Sequence, residues 1–164
     1  MIISTYQGVG KSTICKKSNK CIDLESSSFF IDGKRNDNWY KEYVKIAHDL
    51  FLQGYIVFIS SHKEVRVELN KTKDDKIIII YPSINLKDKW IDKLKERYES
   101  AKLVKDFKAL KNAEDKYEES INEFDIESTF INISCNKNVK YLTIYDMDYN
   151  FEEFLKEEGV NIYE

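Results

Sequence analysis

MIISTYQGVGKSTI, residues 1–14, begins as a short apolar strand and turns at once into a loop ending Gly10-Lys11-Ser12-Thr13. Glycine, four residues, then Gly-Lys-Ser/Thr is the spacing of a loop that cradles phosphate, provided a strand precedes it and a helix follows. From Thr5 to Ser12 every part of that spacing is present except the first glycine, whose place Thr5 holds. Each part has a physical task. Gly8 and Gly10, with Val9 between them, let the backbone curl so that successive N–H groups point at phosphate oxygens. A helix expected from about Lys11 adds its positive end to the same place. Lys11 is expected to reach the β- and γ-phosphates of a triphosphate, and the Ser12 hydroxyl to coordinate Mg²⁺. Thr13 helps with the α-phosphate or packs. A threonine at position 5 fits if the backbone there stays extended.

Working outward, apolar runs alternate with helical patterns, which predicts an α/β protein with a mostly parallel sheet. Strands are expected at 2–5, 20–24, 55–60, 76–81 and 141–144. YIVFIS (55–60) and KIIIIY (76–81) are continuous β-branched or aromatic runs, as strands buried on both faces require. Between 39 and 52, Tyr40, Tyr43, Val44, Ala47, Leu50 and Phe51 recur at helical spacing, and Gly54 is a natural stop. Beyond Pro82, LKDKWIDKLKERY (86–98) and then Leu103, Phe107, Leu110, Tyr117, Ile121 and Phe124 predict two charged helices with a narrow apolar stripe. Such a stripe suits a helical hairpin lying over the sheet. The stretch 125–140 reads as an extra strand or a loop.

Composition sets the limits. A chain of 164 residues is most simply one domain, 1–164, and its net charge of -3 gives no general attraction to nucleic acid. Cys15, Cys21 and Cys135 are an odd number without paired spacing, which predicts free thiols in a reducing compartment. No run approaches the roughly 20 apolar residues of a membrane span. The expectation is a cytoplasmic protein with no membrane or nucleic-acid partner.

The strands at 55–60 and 76–81 end without the aspartate that many nucleotide-binding folds use to hold Mg²⁺ through water. An acid pair stands instead in CIDLESS: Asp23 and Glu25, two apart on an extended segment and so facing the same way. The carboxyl ends of parallel strands are where ligands bind. His62 follows a strand end and suits either a cleft or a helix start. Trp39, Tyr40 and Tyr43 have core spacing, and His48 is expected to be half-buried on its helix.

Taken together, GxGKST, the Asp-x-Glu, GYIVFISSHKEVR (54–66) and YPS (81–83) resemble small P-loop kinases of the nucleoside and nucleotide kinase group, the adenylate-kinase-like family. Within that group, phage-encoded proteins carrying DLESS, SSHKEVR and YPS…LKDKWI…RY look most similar, over essentially the whole chain. The resemblance implies a three-layer P-loop NTPase fold with a five-stranded parallel sheet in the order 2-3-1-4-5 and a helical lid or insertion at about 83–124. It also implies ATP- and Mg²⁺-dependent phosphoryl transfer to a small acceptor, best matched by a (deoxy)nucleoside monophosphate. A kinase of nucleosides or of modified bases in DNA, and a nucleotide-binding regulatory protein with little turnover, stay open. By the same resemblance Asp23 is the metal-side acid with Ser12, and Glu25 is an acceptor contact or base. Arginine accounts for only three of the 26 basic residues, Arg35, Arg66 and Arg97. A chain that otherwise uses lysine is expected to keep arginine for planar, bidentate phosphate contacts. Arg35 and Arg66 fall where the acceptor would be held, and Arg97 falls in the lid, beside the transferred group.

Overall fold

Runs of isoleucine, valine and phenylalanine with no polar alternation are dry on both faces only inside a covered parallel sheet. The computed structural model describes residues 1–73, 75–134 and 138–163 and places those runs at the centre of such a sheet. In chain order the elements are β1 (Ile2–Thr5), α1 (Lys11–Cys15), β2 (Cys21–Asp23), β3 (Phe30–Ile31), β4 (Lys34–Arg35), α2 (Trp39–Leu52) and β5 (Ile56–Ser60). Then follow α3 (Lys63–Leu69), β6 (Ile77–Pro82), α4 (Lys87–Ala101), α5 (Val104–Ser134), β7 (Val139–Ile144) and α6 (Phe151–Glu157). Five strands form one all-parallel sheet, β2-β5-β1-β6-β7. Numbered over all seven strands the order reads 2-5-1-6-7 in place of the expected 2-3-1-4-5, because two strands that sequence reasoning did not foresee, β3 and β4, form a separate antiparallel ribbon; the five foreseen strands lie side by side as expected. Asp32 and Gly33 turn that ribbon with φ of 51° and 76°, the left-handed pair a two-residue hairpin needs.

Register brings the site together. Thr5 of β1 stands level with Ser60 of β5 and Ile80 of β6, and Asp23 of β2 stands level with Phe58. The carboxyl ends of β1, β2 and β5 therefore open on one side. α2 covers the sheet with Tyr43, Val44 and Ala47, and Gly54 takes a φ of 93° just beyond it, the stop its position predicts.

The segment after Pro82 departs most from expectation. Trp90 and Leu94 of α4 are buried, as are Ala113, Tyr117, Ile121 and Phe124 of α5. Phe124 stacks on Tyr81 of β6, centroids 4.7 Å apart and 12° from parallel. This hairpin is largely a layer of the core, and only its tip, around residues 102–109, suits a lid over the cleft. The stripe is narrow, but it is built of Trp, Tyr and Phe, each of which buries 150–250 Å². α5 runs on to Ser134 through a break at Lys116 (φ -138°, ψ 15°), so 125–134 is helix rather than strand or loop. Cys15 and Cys21 are free thiols, and Cys135 lies outside the described residues. Among the described residues no helix is long and apolar enough to cross a membrane.

Candidate functional site

Thr5 is the last residue of β1, so the backbone at the missing glycine is extended and accommodates a side chain. Its hydroxyl is buried with no hydrogen-bond partner among the described residues. Tyr6 then anchors the chain, buried edge-on against Trp90, Tyr117 and Phe124. From there the loop reverses on Gly8 (φ 87°) and Gly10 (φ 118°), and Val9 is buried between them. A Cβ on Gly8 would be strained by the positive φ and would lie 2.9 Å from Leu94 Cδ2, so the end of that leucine would have to shift to admit it.

Two carbonyls of the loop are held from outside. Trp90 Nε1–H donates to Gln7 O at 2.9 Å, and the Tyr149 hydroxyl donates to Val9 O at 2.6 Å. The Gln7 side-chain amide donates to Ala109 O at 2.9 Å, tying the loop to α5. Among the described residues nothing accepts from the backbone N–H of Gly8, Gly10, Lys11 or Ser12. α1 has only five residues, so any attraction of the loop for an anion would come from these open N–H groups and Lys11 more than from a helix dipole.

Asp23, at the end of β2, points its carboxylate into this loop. Its Oδ1 lies 2.9 Å from Lys11 Nζ, and its Oδ2 accepts from Ser12 Oγ at 2.8 Å. The structure thus joins Lys11, Ser12 and Asp23 in one cluster, although sequence separates Asp23 from the loop. Ser12 Oγ and the Asp23 carboxylate are hard oxygen donors of the kind Mg²⁺ takes. Among the described residues no group of three or more His, Cys, Asp or Glu side chains forms a closed metal cage. Glu25 turns to Lys105 of α5, its Oε1 3.1 Å from Nζ.

The loop, the hairpin tip and the ribbon line a cleft of about 1200 Å³. Arg35 faces it from β4. Its guanidinium carbon lies 4.1 Å from the centroid of the Phe30 ring and 4.3 Å from that of Trp39, and Nη2 donates to Ser26 Oγ at 3.2 Å. Burial pulls the Arg35 pKa below its ordinary value, Glu64 partly offsetting it, and no described carboxylate forms an ion pair with this arginine. His62 Nε2 lies 3.4 Å from Arg35 Nη1, which can only donate, so Nε2 is assigned as acceptor. Nδ1 then carries the proton and donates to Ser60 Oγ at 2.8 Å. Burial first, and Arg35 second, push the His62 pKa down to about 4, so the ring is neutral at pH 7.

The other two arginines are committed within the fold. Arg66 is buried; its Nε and Nη2 donate to the Glu127 carboxylate at 2.8 and 3.1 Å, Nη1 donates to Ser61 O, and its guanidinium covers Phe124 at 4.0 Å. Arg66 also lines the cleft, where an acceptor contact is expected, but four of its five N–H donors already meet protein acceptors, so it braces α3 against α5. Arg97 pairs through Nε with the buried Asp106 at 2.9 Å and keeps 42% of its side chain exposed at the cleft wall. His48 is half-buried on α2, Nδ1 lying 2.6 Å from an oxygen of the buried Asp75.

Sequence reasoning missed Gln7, Trp90, Lys93 and Tyr149. Trp90 and Tyr149 stack face to face, 6.1 Å apart and 9° from parallel, and Lys93 Nζ donates to the Tyr149 hydroxyl at 2.9 Å. Burial, with Arg97 adding to it, pulls the Lys93 pKa down to about 8. The only local signal was Trp90 and Leu94, four apart in a segment otherwise rich in lysine and acid. No protein-family model matches the chain, and no curated protein matches it.

Proposed function

We propose that this is a P-loop kinase of the nucleoside and nucleotide kinase type, transferring the γ-phosphoryl group of ATP to a small acceptor, best matched by a (deoxy)nucleoside monophosphate. One observation carries the reading: Asp23 between Lys11 and Ser12, beside a glycine loop in which the N–H groups of Gly8, Gly10, Lys11 and Ser12 have no partner among the described residues. An oxygen donor set of one carboxylate and one hydroxyl, with no closed cage among the described residues, fits Mg²⁺, which usually completes its shell from water and substrate phosphate.

In this reading the N–H groups of Gly8, Gly10, Lys11 and Ser12 bind the phosphate chain, with Thr13 at its near end. Lys11 exchanges Asp23 for a β- or γ-oxygen, and Ser12 and Asp23 hold Mg²⁺, which when bound neutralises charge and orients the phosphates. Arg97, anchored by Asp106 of the hairpin tip, faces the transferred group from α4. Arg35, a partly desolvated cation without a carboxylate ion-pair partner among the described residues, suits an acceptor that brings its own phosphate. Glu25, once released from Lys105, suits a contact to the acceptor hydroxyl.

The test is product formation from ATP and Mg²⁺ over a panel of nucleosides and nucleoside monophosphates, comparing the parent with Lys11→Ala and Asp23→Asn. Phosphorylated product from a monophosphate, reduced roughly 10²-fold or more in Lys11→Ala, is expected. Asp23→Asn should raise the Mg²⁺ concentration needed for half-maximal rate. Near-parental turnover in Lys11→Ala would remove the loop from the chemistry, and the absence of product from every acceptor would refute the kinase assignment.

A further inference from the structure

The peptide bond is planar and trans, so a residue's C=O and the next residue's N–H point in opposite directions. Every described peptide bond of this chain is trans. Holding the carbonyl of Gln7 therefore aims the N–H of Gly8, and holding that of Val9 aims the N–H of Gly10. The holders are Trp90 Nε1–H and the Tyr149 hydroxyl. Both come from outside the loop, and their rings brace each other. Burial keeps the Tyr149 hydroxyl protonated, and Lys93 donates to its oxygen, leaving its own proton for Val9 O. Glycine at the second position of each unit makes a peptide flip sterically open, and a flip would turn a carbonyl dipole toward the anion.

We propose that Tyr149 is a positioning residue for phosphate recognition: supported by Lys93 and paired with Trp90, it locks the Val9–Gly10 peptide with its N–H presented to the ligand. The proposal rests on the phosphate-loop reading above. It predicts that one hydroxyl, from a residue far along the chain, governs affinity for the polyphosphate and not for the base.

Tyr149→Phe removes that hydroxyl and keeps the stack on Trp90. Binding of inorganic tripolyphosphate is measured by calorimetry for parent and variant, with melting curves of both to confirm the fold. Affinity is expected to fall about tenfold, the scale of one hydrogen bond that serves a charged group. Amide NMR supplies a readout that general loosening does not imitate. Tripolyphosphate should shift the Gly8 and Gly10 amides of the parent, but in Tyr149→Phe the Gly10 response should shrink while Gly8, still governed by Trp90, responds. Lys93→Met, which leaves the Tyr149 hydroxyl unsupported, serves as the second variant and should shrink the Gly10 response in the same direction. Parental affinity and an unchanged Gly10 response in Tyr149→Phe would overturn the proposal while leaving the phosphate loop in place. A parent that binds no tripolyphosphate would overturn the loop reading and this proposal together.

Discussion

Replacing Arg66 with alanine separates a strut from a substrate clamp. The side chain is 4% exposed, and its guanidinium meets Glu127 through two nitrogens, Glu123 at 3.3 Å and the backbone of Ser61. Glu127 also accepts from the Tyr141 hydroxyl at 3.0 Å, so one carboxylate ties α3, α5 and β7 together. Removing one partner of a buried ion pair costs about 3–5 kcal/mol, because the other charge is left uncompensated. Glu127 keeps 21% of its side chain in contact with solvent, which relieves part of that penalty and places the expected loss near the lower bound, about 3 kcal/mol. For a chain of this size that corresponds to a fall in Tm of roughly 10 °C. Thermal unfolding of parent, Arg66→Ala, Glu127→Gln and the double variant gives the coupling directly, expected at about 1–3 kcal/mol for groups in contact. An Arg66→Ala protein that melts with the parent and shows only a raised KM for acceptor would refute the strut and restore Arg66 to the acceptor site.

Gly8→Ala should lose both stability and tripolyphosphate binding, since φ is 87° and the new methyl would stand 2.9 Å from Leu94; paired melting and calorimetry check it, and parental values for both would contradict the crowding argument. His62 has a folded pKa of about 4 against 6.5 when free, so the unfolded chain takes up its proton first as pH falls. Stability is then fully present above pH 6.5 and declines towards pH 4, by about 3 kcal/mol at most. Urea unfolding at several pH values should show this loss blunted in His62→Gln, and an identical pH dependence in both proteins would dismiss the histidine as its source. In Arg97→Ala, turnover should fall roughly 10²-fold with a much smaller change in ATP affinity, as expected for a charge acting mainly in the transition state; steady-state kinetics with direct ATP binding measures both, and a loss confined to ATP affinity would place Arg97 on the donor instead.

Local patterns were legible and convergences were not. The glycine loop, the five sheet strands and α2 each announce themselves within a dozen residues, through spacing or period. The ribbon carried a turn signature in Asp32-Gly33, but its strands of two residues each are too short to show alternation. α5 misleads only beyond Phe124, where the exposed Ile126 and Phe130 fall off the stripe that Leu110, Ala113, Tyr117, Ile121 and Phe124 keep through the break at Lys116. Arg66 is placed by Glu123 and Glu127, some sixty residues away, and nothing in SSHKEVR points to them. Asp23 was legible as a carboxylate at a strand end, but its alignment with Lys11 and Ser12 depends on β2 lying beside β5. Trp90 and Tyr149 belong to the same class, since each looks like core until the loop is seen between them.

That the loop borrows its supports from α4 and from the turn before α6 sets a timetable for biosynthesis. Trp90 and then Tyr149 leave the ribosome only long stretches of chain after residues 6–10, and β1 has no strand beside it until β5 and β6 have emerged. At about 5–20 residues per second, roughly 7–30 s separate the appearance of the loop from that of its last support. Through that interval the nascent chain displays the motif without its shape, so on the phosphate-loop reading competence for phosphate should arrive abruptly, once Tyr149 has emerged.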